Sequence, residues 1–143
     1  MTDRAPPDGY SPHFRKSTFT DPWEPLYSRV SEREVSIGVW LSEAHCNSRG
    51  LVHGGLIASL ADNAMGLSCG QAIKAEGREA VGGLVTVTLT TDYVGSAKLG
   101  QWFATDTHFV KVGGSLCFAD CLIRADGEPI ARASSSFKIV KAR

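Results

Sequence analysis

The sequence has no excess of charge of either sign: 15 Lys and Arg stand against 15 Asp and Glu in 143 residues. With no basic surplus, it offers no field to hold nucleic acid or an anionic membrane surface, so neither partner is expected. It has no apolar run of the roughly 18 residues that a membrane-spanning helix needs. Its opening stretch, "MTDRAPPDGYSPHFRKSTFT", lacks the apolar core of a signal peptide. Those two absences point to a cytoplasmic protein. The four cysteines, Cys46, Cys69, Cys117 and Cys121, form no C-x-x-C pair and are then expected as free thiols. Cys117 and Cys121 fall four apart in a strand-like segment, about 13 Å along it, too far to bridge. His45-Cys46 has no second pair at ligand spacing, so it reads as the end of a strand and not as a metal site. No redox-cofactor motif is present either, and no internal repeat.

What is there fits one domain. A chain of this size can bury roughly 70% of its unfolded surface and needs neither disulfide nor metal to fold. Residues 1–20 read as an extended or poorly ordered arm, and 21–143 as a single domain. "DPWEPLY" (21–27) is broken by proline but carries Trp23, Leu26 and Tyr27, so it should pack on the domain. "EVSIGVWL" (34–41) alternates as a half-buried strand does. "LIASLADNAMGLSCGQAIKA" (56–75) is too long for a strand, rich in Ala and Leu, and apolar most of the way round. It predicts a helix buried on nearly every side. Four alternating segments follow, 84–94, 101–112, 115–125 and 129–140, joined by short turns such as "VGGS" and "ADGE". The architecture this order predicts is α+β: an antiparallel sheet curled around one long helix. One sheet of this size cannot cover such a helix alone, so dimerisation through an edge strand is expected.

Two features of "NSRGLVHGGLIASLADN" (47–63) carry chemistry. Gly54-Gly55 opens the helix, although glycine costs about 1 kcal/mol there relative to alanine. In return it leaves the unpaired first N–H groups uncovered at the electropositive helix end, which is the outline of an oxyanion hole. A plain turn into the helix is the commoner meaning of such a pair. Asp62 lies among Ala58, Ala61, Met65 and Gly66, so it is either functional or on a narrow polar stripe with Ser59 and Asn63. Eight residues of helix place it about 12 Å from Gly54, too far for one carbonyl to touch both. A site using both must join two subunits.

These segments, with "LVTVTLTTDYVGSAKLG" after them, resemble the hotdog-fold acyl-CoA thioesterases of the PaaI-like, phenylacetate-degradation type. The resemblance covers about residues 20–140 in element order. Its specific part is an Asn six residues before His-Gly-Gly and an Asp nine after that His. It implies a hotdog fold, dimers that share a continuous sheet, and pairing of dimers into a homotetramer. It also implies roles. Asn47 would hydrogen-bond the thioester carbonyl or its water, and Gly54 would donate its backbone N–H to the same carbonyl. Gly55 would admit the substrate and His53 would position loop and thioester. Asp62 from the partner subunit would be general base or nucleophile. Thr86, counted back from "SAKLG", would orient the water or the aspartate, with Thr88 as a neighbour on the same face; β-propensity alone also explains these threonines. Coenzyme A, as part of the substrate and not a cofactor, would have its phosphates near Arg49, Lys98, Lys111 and the turn of Gly113 and Gly114. Phe19, Trp23, Leu26, Ile57, Ala61 and Met65 would line the acyl pocket, or else be core.

Two other readings share the fold. A hydratase or dehydratase acting on acyl thioesters would carry a D-x-N-P-x-H pattern, which is absent. A non-catalytic acyl-CoA-binding module would not need Asn47, His53, Gly54 and Asp62 together.

Overall fold

The computed structural model describes residues 4–79 and 82–141. The first three residues of the expected arm, and 80, 81, 142 and 143 of the expected domain, lie outside them. Seven strands form one antiparallel sheet: β1 (Ser11–Pro12), β2 (Tyr27–Val30), β3 (Val35–Trp40), β4 (Leu84–Tyr93), β5 (Trp102–Val112), β6 (Leu116–Ala125) and β7 (Glu128–Ile139). Their order across the sheet is β1-β2-β3-β5-β6-β7-β4. One 22-residue helix, α1 (Gly54–Ala75), lies against it. This is the expected α+β hotdog architecture. Two short 3-10 turns, Asp21–Trp23 and Glu43–His45, flank β2 and β3.

The helix forms where Ala and Leu are dense and proline is missing. It stops at Gly77, whose φ of +75° suits glycine. There the Gly77 N–H bonds the Lys74 carbonyl and the Arg78 N–H bonds the Ile73 carbonyl, which satisfies two of the last free carbonyls. Leu56, Leu60, Ala64, Met65, Cys69 and Ile73 face the sheet and join Ile37, Val39, Phe103, Ile123 and Phe137 in the core. The opposite stripe is only half-buried: Ser59, Asp62, Asn63, Gly66, Leu67, Gly70 and Gln71. The helix is therefore not sealed within one chain, although its composition suggests burial on nearly every side.

Residues 4–20 run extended but lie against the domain. β1 pairs with β2, His13 is buried with its Nε2 3.1 Å from Asn63 Oδ1, and Arg4 stacks 3.4 Å over the Trp40 ring. Tyr10, Tyr27 and Trp40 ring Trp102, which crosses Gly38 of β3 so closely that a Cβ there would sit 2.1 Å from it. No helix among the described residues is long and apolar enough to cross a membrane.

Strand β4 ends the sheet, so one of its edges has no neighbour, and Val85, Val87, Leu89 and Tyr93 on it are exposed. Its register against β7 slips once: Thr86 is opposite Phe137 and Thr88 is opposite Ser136, with Val87 bulged out between them.

Candidate active site

The chain before α1 closes into a tight loop on Asn47. The Asn47 side-chain carbonyl accepts the N–H groups of Arg49 (2.8 Å) and Leu51 (3.2 Å), and its backbone N–H bonds the Leu51 carbonyl at 2.7 Å. Gly50 completes the turn at φ +76°. With Oδ1 taken, the Asn47 amide NH2 is the group left to donate outward. His53 caps the helix. Its Nδ1 accepts the Gly55 N–H at 3.0 Å, so its ring proton sits on Nε2. The Gly54 N–H has no protein partner among the described residues. Asn47, His53, Gly54 and Gly55 thus come together at one helix end. They present an unpaired N–H, an amide NH2 and an imidazole N–H.

Beside them lies a cleft of about 370 Å³ lined by Phe19, Trp23, Ala44, His45, Cys46, His53, Gly55, Leu56 and Ser59. His45 holds its wall. It is 2% exposed, its Nδ1 accepts the Ser42 N–H at 2.8 Å and its Nε2–H donates to the Trp23 carbonyl at 2.8 Å. Burial holds its pKa below the ordinary histidine value, so it stays neutral. Cys46 is no nucleophile here, because burial pushes its thiol up. All four cysteines are free, and burial raises Cys121 to about 11. Of the residues expected around the acyl group, only Phe19 and Trp23 line this cleft. Met65, Ile57, Ala61 and Leu26 are 0–2% exposed core residues, because they point from α1 and β2's approach into the sheet. Met65 therefore stands in the core of the single chain and does not line this cleft.

Two turns along α1, Asp62 is half-buried in a separate groove of about 610 Å³ that also holds Phe14, Arg15, Asn63, Lys74, Arg78 and Thr86. Thr86 Oγ1 donates to Asp62 Oδ1 at 2.8 Å, and Oδ2 has no protein partner among the described residues. Thr88 does not share that face. Phe137 and Ser136 are consecutive on β7 and point to opposite sides, so their partners Thr86 and Thr88 do as well. Thr88 Oγ1 instead meets Ser136 Oγ at 2.7 Å on the outer side. Counting along the strand missed the bulge.

The cations divide in the same way. Lys98 pairs with Leu51, next to the Asn47 loop that carries Arg49. Lys111, Gly113 and Gly114 are at the opposite end, where the Arg78 guanidinium donates to the Gly113 and Gly114 carbonyls at 2.7 and 3.1 Å. Sequence reasoning also missed Tyr93, whose OH donates to the Gly54 carbonyl at 2.7 Å. It stands seven residues from Thr86, an odd spacing that in an unbroken strand argues against a shared face.

A sheet wrapped on one helix, with the Gly54 N–H uncovered at the helix start and a carboxylate on the open stripe, defines a hotdog-fold protein. The chain belongs to the thioesterase superfamily, whose family model matches residues 49–131. Within that family it is a thioester hydrolase. A candidate esterase of Pseudomonas aeruginosa is 33% identical over 134 residues, 93% of this chain and 96% of that protein. Human acyl-coenzyme A thioesterase 13 is 36% identical over 96 residues, 64% of this chain. The chain spans 63% of that thioesterase's length. Among solved structures, the phenylacetic acid degradation protein PaaI of Thermus thermophilus, a mutant, superposes with a TM-score of 0.72 at 17% identity, covering 85% of this chain and 98% of that one. A hypothetical thioesterase of Streptococcus pneumoniae, solved with coenzyme A, gives 0.67 at 21% identity over 85% and 93% of the two chains.

Proposed function

We propose that the protein hydrolyses an acyl-CoA thioester to a free acid and coenzyme A, at a site completed by two copies of the chain. The observation that carries this is the division of the site: unpaired donors at Asn47, His53 and Gly54, and the Asp62–Thr86 pair two helical turns away. Two antiparallel α1 helices, brought together by pairing of the free β4 edges, set each half against the other. The coenzyme A bound in a structural neighbour and the names of the relatives support the substrate class.

In this reading the Gly54 N–H and the Asn47 amide bind the thioester oxygen, and they bind it more tightly as it gains charge. Asp62 of the partner subunit takes a proton from water through its free Oδ2, while Thr86 holds Oδ1 and fixes the carboxylate. The water oxygen bonds to the carbonyl carbon, the C–S bond breaks, and the thiolate leaves and takes up a proton. Direct attack by Asp62 gives the same products through an anhydride. Arg49 and Lys98 on one side, and Lys111 with the Gly113-Gly114 turn on the other, are the proposed contacts for the phosphates. The acyl group enters the cleft under Phe19 and Trp23. The compartment proposed is the cytoplasm, and the assembly a tetramer of two such dimers.

Purified protein incubated with aromatic and straight-chain acyl-CoAs, with released thiol read by a chromogenic disulfide, tests the reading. Asp62→Asn should lose nearly all turnover with its circular dichroism unchanged. Tight acyl-CoA binding without release from any substrate would establish the non-catalytic module instead. Unchanged release by Asp62→Asn would leave the hydrolase and remove Asp62 from its mechanism.

A further inference from the structure

Strand β4 ties to α1 through two hydroxyls. Thr86 reaches Asp62, and Tyr93 reaches the carbonyl of Gly54. Side chains seven apart in a regular strand point to opposite faces. The bulge at Val87 adds one residue and reverses that parity, so both hydroxyls face the helix. The second tie acts on one peptide group. The Gly54–Gly55 peptide has its C=O held by Tyr93 OH at 2.7 Å and its N–H held by His53 Nδ1 at 3.0 Å. The Tyr93 ring lies so near that a Cβ on Gly54 would meet it at 3.3–3.4 Å. Tyr93 is nevertheless 52% exposed in the single chain, so the ring does not fill that chain's core.

That peptide governs two donors. Its N–H keeps His53 Nδ1 an acceptor and the ring proton on Nε2. Its orientation also sets the preceding Gly54 N–H, which has no protein acceptor among the described residues. A hydroxyl bonded to the C=O polarises the group and strengthens the N–H bond beyond it. We infer that Tyr93 is a positioning residue that fixes the Gly54–Gly55 peptide and, through it, the tautomer of His53 and the aim of the helix-start donors. The kinetic part of this inference rests on the proposed hydrolysis; the part concerning His53 does not.

Tyr93→Phe keeps the ring and removes the hydroxyl. It should lower kcat on the order of 5-fold, the effect of one neutral hydrogen bond, with KM unchanged. With 15N-labelled histidine, the His53 ring in the parent protein should show one tautomer, protonated at Nε2, and in Tyr93→Phe a mixture of two. Thr90→Val, on the outer face of the same strand opposite Ser134, should match the parent in both measurements. An unchanged His53 spectrum in Tyr93→Phe would overturn the inference, and so would a Thr90→Val variant that reproduces the loss. If no acyl-CoA is hydrolysed by the parent protein, the proposed function fails while the ring spectrum still decides the role of Tyr93.

Discussion

Asn47 does two jobs with the two ends of one amide. Its oxygen closes the loop on Arg49 and Leu51, and its NH2 faces outward. Truncation to alanine would confuse the two, because it opens the loop as well as removing the donor. Asn47→Asp separates them, since a carboxylate oxygen still accepts both backbone N–H groups but cannot donate. It should keep the melting temperature of the parent and lose on the order of 100-fold in kcat, the usual effect of removing one oxyanion donor. A variant with normal turnover would confine Asn47 to the loop. Gly54 and Asp62 stand out in the sequence as a glycine and a carboxylate in an otherwise apolar helix, whereas Asn47 and His53, which precede it, are pointed to by the family resemblance. The partners these four use in the folded chain are not legible there. Nothing in residue order says that the Asn47 oxygen is already taken, or that His53 spends Nδ1 on its own helix.

At the scale of elements, α1 and the four long strands follow from periodicity, and their observed spans fall close to the segments that alternate or recur. Three features escaped. β1 and β2 are short and sit among prolines, so they lack the length that makes alternation visible. The bulge at Val87 breaks a count of two that otherwise runs through β4, and it is what moves Thr88 to the outer face. Met65 is the third case: on an almost uniformly apolar helix, the sequence does not say which apolar residue meets the sheet and which meets a ligand. The aromatic cluster on the outer end of the sheet is also invisible in sequence, since Tyr10, Tyr27, Trp40 and Trp102 are scattered along the chain. It depends on Gly38, where the Trp102 ring occupies the space of a side chain. Gly38→Ala should cost about 1–3 kcal/mol, the range for overpacking a filled site, because Trp102 has to leave its three aromatic neighbours. Denaturant unfolding should show a lower midpoint with an unchanged slope. An unshifted midpoint would mean that the ring moves aside freely and that the cluster does not pin the N-terminal segment.

For the whole molecule, the proposed two-subunit site rests on three features taken together. The open stripe of α1 carries Asp62, the free edge of β4 carries exposed Val85, Val87 and Leu89, and neither half of the site contains both a donor set and a base. Each is a weak sign alone, since single exposed apolar residues are common. Their coincidence on one side of the chain is what favours a two-fold dimer, in which each β4 edge supplies the other with the missing hydrogen-bond partners. Val87→Asp tests this with little risk to the fold, because Val87 is 57% exposed in the single chain and a charge there remains solvated. A charge on an edge strand opposes its burial against another edge. Sedimentation should then show a monomer with native circular dichroism, and thiol release should fall by the same large factor as in Asp62→Asn. A monomer that hydrolyses acyl-CoA at the parent rate would place donor and base within one chain, and the two-subunit site would have to be abandoned.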